Sequence, residues 1–471
     1  MNPLILSREK YEDIFERITR LSLEYLASLP ERPSFPDVSA GQLATWFSSE
    51  LPERGARDAI FAELTKVIDG CRPNSPRFFG YVFGSGEPVA AAADLLTSVL
   101  NQNTTAWRSG PTATTLEHLV VGWLAEAVGC RGFTGTLTGG GSPANLMALA
   151  MAREARLPAN ERGAQPATVY ASEQVHKSIP KAVALLGIGR DHLRLIPCDS
   201  SFRIRVDALR DAIAADVAAG LTPIAIVGSA GTVATGSIDP LIELANIARE
   251  HGAWFHIDGA YGALACIAQP EKLAGLNEAD SLSLDPHKWL YQPVDCGCLL
   301  YRDANAARRA FSHTGDYAQS LLEDPVEGFA FFEESMELSR RFRALKLWFS
   351  LRYHGLEKFR ASIRNDLQNA QYLVKLIAPH RELELLAPVP LSAVCLRYVS
   401  KCAATDIDAL NRSILQRIVR RGKVFLSNAS LNGRFALRAC FVNHRTTPAD
   451  VGQIVDEVLA VGTQLELGAE S

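Results

Sequence analysis

The sequence predicts an α/β protein whose large domain contains a mostly parallel sheet and whose C-terminal domain is a small α+β unit. Between about residues 60 and 310, short apolar strand patterns alternate with helical patterns, which is typical of a parallel sheet. From about residue 345 the alternation gives way to a long helix, a strand, a helix, a hairpin pattern and a last helix. We therefore expect an N-terminal helical segment over 1–60, a large domain over 61–344 and a small domain over 345–471.

The individual elements follow from the same patterns. In the large domain, apolar runs bounded by turn residues predict strands at 168–171, 193–197, 223–229, 253–257, 281–284 and 297–301. In the small domain, the periodicity predicts helices at 345–377, 406–421 and 448–465, a strand at 392–398, and a hairpin of 424–427 with 435–442. Ligands of open α/β sheets bind beyond the carboxyl ends of the strands, so polar residues there are candidates for chemistry.

The N-terminal segment begins with one amphipathic helix over 8–29, which Ser7 can cap and Pro30 ends. Apolar residues recur on one face of this helix at Tyr11, Ile14, Phe15, Ile18, Tyr25 and Leu29. Such a face must be covered, and a second subunit is as good a cover as the helix's own domain.

Composition excludes several function classes. The 471 residues carry a net charge of −4, which gives no basic surface for nucleic acid or anionic lipid. No apolar run approaches the ~18–20 residues that cross a bilayer, and the N-terminus becomes charged too early for a secretory signal. The nine cysteines are scattered and form no CxxC pair, which favours reduced thiols in a cytoplasmic protein.

The segment SLSLDPHKWLYQP (281–293) runs from an apolar strand through a turn and presents Lys288 between apolar and aromatic neighbours. An apolar setting favours the neutral amine, which is the form that attacks carbonyl groups. This pattern makes Lys288 a candidate for Schiff-base chemistry. The alternative is a lysine whose stem lies over a hydrophobic surface patch.

The segment AWFHIDGAYGA (253–263) places Asp258 directly after a predicted buried strand. A carboxylate there needs a cationic partner, and a protonated pyridine nitrogen is one. Gly259 and Ala260 leave room beside it for a flat ring. The alternatives are a helix cap or a metal ligand, but no second carboxylate or histidine at ligand spacing supports a metal, so we predict none.

A glycine run precedes a strong helical pattern in FTGTLTGGGSPANLMALAMARE (133–154). Gly140, Gly141 and Ser142 would expose backbone N–H groups at the helix N-terminus, which is a site for a phosphate, with Pro143 in the first turn. The run is neither a P-loop nor a GxGxxG fingerprint. The alternative is a flexible turn with a capping serine.

Two further strand ends carry polar candidates. His176 could stack on a cofactor ring or could be a surface or capping histidine, and Thr232 could line the cofactor or belong to a tight loop. Together with the lysine, the aspartate and the glycine run, they specify a phosphate site, a ring stacker, a pyridinium partner and a Schiff-base lysine in one α/β domain. That combination predicts an enzyme that uses pyridoxal phosphate (PLP) on amino acids.

From about residue 60 to the end, the order of these motifs resembles the group II PLP decarboxylases, which include aromatic-amino-acid, tyrosine, glutamate and diaminobutyrate decarboxylases. DPHKWLYQPVDCG (285–297) is the most specific part of the resemblance. The resemblance implies fold-type I, the aspartate-aminotransferase-like fold. It also implies a homodimer with active sites at the subunit interface and intertwined N-terminal helices.

The resemblance also implies roles for individual residues. Lys288 matches the Schiff-base lysine, His287 a cofactor-contacting histidine and Asp258 the partner of the pyridine nitrogen. The remaining cofactor contacts that we expect are Gly140, Gly141, Ser142, Thr232, and His176 and Ala260 on the two ring faces. The runs RFFGYVFGS and NQNTTAW resemble the substrate-pocket wall, with Tyr81, Phe83, Asn103, Thr105 and Trp107 as candidates.

This sequence departs from the family pattern in two places. Thr232-Val233 stands where many members have Thr-Thr. The loop 323–337, EDPVEGFAFFEESME, lacks the tyrosine that protonates the substrate carbon after CO2 leaves, and Tyr317 lies upstream of it. Glu333 or Glu334 could replace that tyrosine only if burial keeps it protonated.

We therefore expect decarboxylation of an L-amino acid, with Lys288, His176 and Asp258 as the catalytic residues. Two alternatives remain: an oxidative variant that yields an aldehyde, and a catalytically silent homologue that only binds PLP. The substrate is less determined. Asn103 and Thr105 favour a polar or small side chain, whereas Phe83 and Trp107 favour a larger apolar one.

Overall fold

The computed structural model describes residues 2–47, 51–312, 326–402 and 405–469. Its helices are α1 (Arg8–Ser28), α2 (Ala40–Trp46), α3 (Ile60–Gly70), α4 (Pro88–Leu100), α5 (Pro111–Ala127), α6 (Gly141–Arg156), α7 (Ala159–Arg162), α8 (Ser178–Leu185), α9 (Val206–Ala218), α10 (Leu241–Glu250), α11 (Pro286–Trp289), α12 (Ala304–Phe311), α13 (Ala344–Ile377), α14 (Ile407–Arg421) and α15 (Pro448–Ala469). Within these described ranges, no helix combines the length and apolar character needed to cross a membrane.

The strands form two sheets. They are β1 (Thr134–Thr138), β2 (Ala167–Ser172), β3 (Leu193–Ile196), β4 (Thr222–Ser229), β5 (Trp254–Asp258), β6 (Ser281–Leu284), β7 (Gly297–Tyr301), β8 (Leu383–Leu385), β9 (Ala393–Tyr398), β10 (Ser427–Leu431) and β11 (Arg434–Cys440). The large sheet has the order β1-β7-β6-β5-β4-β2-β3, and only β7 runs antiparallel to its neighbours. The predicted α/β class with a mostly parallel sheet is confirmed.

The large sheet is covered on both faces, as its continuous apolar strands require. One core joins it to α5, α9, α10 and the first part of α13, and a second core joins it to α6, α8 and α12. The small sheet, with order β10-β11-β9-β8, packs on the end of α13 and on α14 and α15. Helix α13 therefore contributes to both domains, and it breaks at Gly355, whose φ is +74°.

Six large-domain strands lie where the alternation predicts them, within one residue at each end. Strand β1, with the sequence TGTLT, was not predicted because its glycine and three threonines give no apolar run, although it is buried against β7. The hairpin prediction was wrong in the position of its first strand, whereas its second strand overlaps β11. Asn432 and Gly433 both have positive φ and form the turn, so the strands are β10 and β11 rather than 424–427 and 435–442.

A fully buried ion pair ties the start of α13 to the large sheet. Arg340 pairs with Glu117 of α5, and neither side chain is exposed. Arg340 also donates to the carbonyls of Thr104 and Leu137, at 2.8 and 2.9 Å. These contacts give both terminal nitrogens of the buried guanidinium a partner, which offsets part of the cost of removing the charge from water. They anchor the segment 101–107 beside β1.

We predict that Arg340→Leu lowers the free energy of unfolding by about 3–5 kcal/mol, because it leaves the Glu117 carboxylate buried without its cation. The neighbouring Arg341→Leu is the matched control. Arg341 is 42% exposed and its ion pairs should contribute about 1 kcal/mol or less. The midpoints of thermal unfolding of both variants give the comparison, and equal midpoints would contradict the prediction.

Candidate active site

One cavity lies at the carboxyl ends of the central strands of the large sheet. All nine predicted cofactor residues line it: Gly140, Gly141, Ser142, His176, Thr232, Asp258, Ala260, His287 and Lys288. They come from five separate segments of the chain, which the strand order of the large sheet brings together. Val233 and Val294 line the same cavity and were not predicted.

Lys288 reaches the cavity from α11, the short helix that follows β6. Its side chain is 15% exposed, and its Nζ forms an ion pair with Asp285 Oδ2 at 2.7 Å. The next residue, Trp289, is fully buried and stacks on Tyr261 with a centroid distance of 6.0 Å. This anchor holds the helix in place, so the amine enters the cavity rather than lying along the surface.

Asp258 is the last residue of β5 and is buried. Its Oδ2 accepts from Asn145 Nδ2 at 2.9 Å, and its Oδ1 accepts from Ser283 Oγ and the Ala260 N–H, both at 3.2 Å. In the described part of the chain, no cationic side chain forms an ion pair with this carboxylate. A buried carboxylate with three donors and no cation is the arrangement that a protonated ring nitrogen would complete.

Asn145 and His256 orient Asp258, and the sequence reasoning missed both. The Asn145 amide donates to Asp258 and also to Ser178 Oγ at 2.9 Å, while its Oδ1 lies 2.9 Å from His256 Nε2. Burial lowers the pKa of His256 to about 4, so the ring is neutral and Nε2–H can donate to Asn145. His256 precedes Asp258 by two residues on one strand, so the alternation of β5 could have revealed it.

His176 joins the same network. Its Nδ1 lies 2.8 Å from Ser178 Oγ and accepts the Ser178 N–H at 3.2 Å. Burial lowers the pKa of His176, which favours a neutral imidazole over the cavity. Through Ser178 and Asn145 the ring is therefore positioned relative to Asp258.

The glycine run forms an anion site at the start of the sixteen-residue helix α6. Gly140 has φ +128°, a conformation that side chains disfavour, and a Cβ on Gly141 would lie 2.6 Å from the Ala260 Cβ. The first N–H groups of a helix lack intrahelical partners and point toward an anion. Thr232 is buried at the facing loop, where its Oγ1 accepts from the Ser237 N–H at 3.2 Å.

His287 faces the cavity between α11 and β7. Its Nδ1 lies 2.7 Å from the Cys296 carbonyl, and its Nε2 lies 3.6 Å from Asp285 Oδ2. Burial lowers the pKa of His287, so its ring is favoured in the neutral form.

Only one of the five residues predicted to form the substrate-pocket wall lines the cavity. Phe83 lines the cavity, but Tyr81, Asn103, Thr105 and Trp107 do not line the cavity of their own chain. Tyr81 is 57% exposed and packs on Phe78 and Phe425. The segment 101–107 pairs instead with 329–341, through backbone bonds such as Trp107 N–H to the Phe329 carbonyl at 3.0 Å. That long-range pairing is not visible in the local sequence.

The segment that lacks the family tyrosine is described from residue 326 onward, and Tyr317 lies outside the described residues. Glu334 is buried away from the cavity. Its carboxylate accepts from Tyr301 Oη at 2.7 Å and pairs with Arg308 at 3.0 Å. Phe331 packs on His118 and beneath Arg340. The described part of this segment is therefore structural in its own chain, and Glu334 is not placed to protonate a substrate there.

Comparisons with known proteins agree with this geometry. A family model described as the pyridoxal-dependent decarboxylase conserved domain matches residues 41–399. The aromatic-L-amino-acid decarboxylase of Bacillus atrophaeus is 33% identical over 98% of each chain. The 4-hydroxyphenylacetaldehyde synthase of Rhodiola rosea is 30% identical over 95% of this chain and 93% of its own. The crystal structure of Oryza sativa TDC with PLP and tryptamine matches with a TM-score of 0.91 and 28% identity, over 99% of each chain.

The residues present fit pyridoxal phosphate. The α6 N-terminus provides an anion site for its phosphate, and Asp258 lacks a cation where a ring nitrogen would supply one. Ala260, His176 and Lys288 line the same cavity, so a small side chain, an imidazole and a primary amine are available to a flat ring bound there.

We predict that Asn145→Ala lowers the affinity for PLP by about 10- to 100-fold, because it removes a hydrogen bond to a charged carboxylate. A titration that follows cofactor absorbance gives the dissociation constant. Asn160→Ala is the matched control, since the Asn160 amide is exposed and contacts only backbone carbonyls of 309–310 and Arg153. An unchanged affinity in Asn145→Ala would show that Asp258 does not depend on this amide.

Proposed function

The chain belongs to the pyridoxal-dependent decarboxylase family, and from that premise we propose that Lys288, Asp258 and His176 carry its reaction. The enzyme is a PLP-dependent carboxy-lyase that removes the α-carboxylate of an L-amino acid as CO2. The observation that supports our residue assignment is the convergence of all nine cofactor candidates on one cavity. PLP supplies an electron-withdrawing ring that takes up the electron pair left by the departing CO2.

Each residue has a task that its surroundings support. Lys288 would hold the cofactor through its amine, which lines the cavity, and would give way to the substrate amine. Asp258 would hold a proton on the ring nitrogen, and its three hydrogen-bond donors fix the orientation of the carboxylate. His176 would cover a face of the ring, and as a neutral imidazole it would not compete with the ring nitrogen for the Asp258 carboxylate.

We propose an aromatic substrate whose ring carries a polar atom, such as a phenol or an indole. Phe83 lines the cavity and supplies apolar contact area. The names of the Bacillus and Rhodiola relatives refer to aromatic compounds, and the tryptamine in the Oryza structure is aromatic as well. Asn103 and Thr105 would add polar contacts only if a second subunit brought them to the cavity.

We propose a homodimer in which that second subunit completes the site. Helix α1 has no fully buried residue, so its own chain covers its apolar face only in part. Helix α4 packs on α13, and both helices expose large apolar side chains. The exposed set comprises Tyr11, Phe15, Leu23, Leu95, Leu96, Val99, Leu100, Phe349 and Tyr353. A surface with so many exposed apolar residues is typical of a subunit interface.

We also propose a cytoplasmic location. All nine cysteines are free, and five of them are buried as small apolar side chains rather than cross-linked. Free thiols throughout a chain of this size are typical of a reducing compartment.

A panel of the common L-amino acids tests the function. We expect CO2 and amine from tyrosine or tryptophan, and at most ~1% of that rate from glutamate or alanine. Amine should equal CO2 under air and under argon, with no peroxide, and mass spectrometry and a peroxide assay measure the products. Aldehyde and peroxide in air would instead establish the oxidative variant.

Lys288→Ala is the control for this panel. It should give neither CO2 nor amine, and borohydride should attach PLP covalently to the wild-type protein but not to this variant. Label on Lys177 or Lys181, which flank the start of α8, would show that the lysine assignment is wrong.

The dimer has its own prediction. Leu23→Glu combined with Val99→Glu should halve the mass measured by light scattering and weaken PLP binding, because each carboxylate would be buried in the interface. These side chains are 62% and 60% exposed in the single chain. Leu185→Glu is the matched control, at 68% exposed on α8, and should leave the mass unchanged. A double variant with wild-type mass would refute this interface.

A further inference from the structure

We propose that Asp285 is the proton acceptor and donor for Lys288 each time the lysine is joined to, or released from, the cofactor. This inference rests on the proposed function of Lys288. It goes beyond it because it assigns a role to a second carboxylate, one that the mechanism above does not use. Asp285 lies immediately before α11, three residues from the lysine.

The distances support a direct exchange of a proton. Asp285 Oδ2 lies 2.7 Å from Lys288 Nζ, and the side chains are only 3% and 15% exposed. At that separation a proton can pass between the two groups without a water molecule between them. In the described part of the chain, the lysine ammonium is the only cation within ion-pair distance of Asp285, apart from the neighbouring His287 ring.

The second oxygen of Asp285 adds to the cost of its negative charge, as the unpaired oxygens of Glu117 and Asp366 do for theirs. Oδ1 is buried and has no hydrogen-bond partner. A carboxylate that served only to hold α11 would gain by satisfying this oxygen, since a buried acceptor without a donor is costly. When Asp285 takes up a proton from Lys288, the carboxylate loses its negative charge. Burying the unpaired oxygen then costs less free energy.

The groups that surround Asp285 do not replace the lysine as its partner. His287 Nε2 is 3.6 Å from Oδ2, and burial lowers the pKa of that histidine, which favours its uncharged form. His176 and Asp258 face the same cavity, and burial lowers the pKa of His176 as well. On the side of α6, a Cβ on Gly141 would lie 3.2 Å from Oδ2, so the glycine leaves the carboxylate room.

The proton balance of the step is complete. The Lys288 ammonium gives one proton to the Asp285 carboxylate and becomes a neutral amine. The amine lone pair bonds to the aldehyde carbon of PLP, and the aldehyde oxygen leaves as water with the two remaining amine protons. When a substrate amine displaces the lysine, Asp285 returns its proton to Nζ. No oxidant, reductant or further reactant is needed.

The test compares two forms of the cofactor on Asp285→Asn, which keeps the shape of the side chain but cannot accept the proton. Stopped-flow absorbance follows the capture of PLP by the cofactor-free protein. Pyridoxamine 5′-phosphate has no aldehyde and reports binding without the covalent step. We expect PLP capture to slow by ~10²-fold or more, as for loss of a general base, while the affinity for pyridoxamine phosphate changes by less than ~3-fold.

Two further variants separate proton transfer from structure. Asp285→Ala should recover part of the capture rate when formate is added, because formate fits the vacated space and supplies a carboxylate. Asp280→Asn is the matched control. Asp280 lies at the other end of β6, where it accepts the Phe255 N–H, and its replacement should not change the capture rate.

Three results would overturn the proposal. An unchanged or faster capture in Asp285→Asn would mean that the ion pair merely holds the lysine. A parallel loss of affinity for pyridoxamine phosphate would place the carboxylate in the noncovalent site. Capture on a lysine other than Lys288, found by borohydride reduction and peptide mapping of the wild-type protein, would refute the proposed function as well, which the first two results would not.

Discussion

The buried carboxylate of Asp258 is the constraint on which the rest of the site depends. A negative charge at the end of an apolar strand is stable only if donors and a cation meet it there. The chain supplies the donors, from Asn145, Ser283 and the Ala260 backbone, and it leaves the cation to the cofactor. On the proposed function, PLP would complete this charge balance, which would couple cofactor binding to the order of α6, β5 and β6.

That coupling explains why the site includes residues that never face the cofactor directly. His256 is fully buried and uncharged, and it orients the Asn145 amide so that its NH2 group serves both Asp258 and Ser178. Ser178 in turn positions His176. One hydrogen-bonded chain therefore sets the position of the nitrogen partner and the ring cover together, so a shift in one is transmitted to the other.

A feature could be predicted from the sequence when the residues that determine it lie close together along the chain. Lys288, Asp258 and Gly141 were predictable because each chemical role depends on a strand end or helix start encoded within a dozen residues. The hairpin turn at Asn432 is also determined locally, but the apolar runs around it led us to place the first strand too early in the sequence. Asn145 and the pairing of 101–107 with 329–341 depend on contacts between distant segments, which no local pattern encodes.

Two aspartates at the ends of neighbouring strands show how different surroundings give identical side chains different roles. Asp258 ends β5 with three donors and no cation, whereas Asp285 follows β6 with a cation and an unsatisfied oxygen. The first arrangement suits a carboxylate that would stabilise a positive ring nitrogen. The second suits the proton exchange with Lys288 that we propose above. Because β5 and β6 are adjacent and parallel, both aspartates lie at the same edge of the sheet and face the same cavity. In our proposal Asp258 stabilises the ring nitrogen there, and Asp285 acts as a base only while the lysine exchanges its proton.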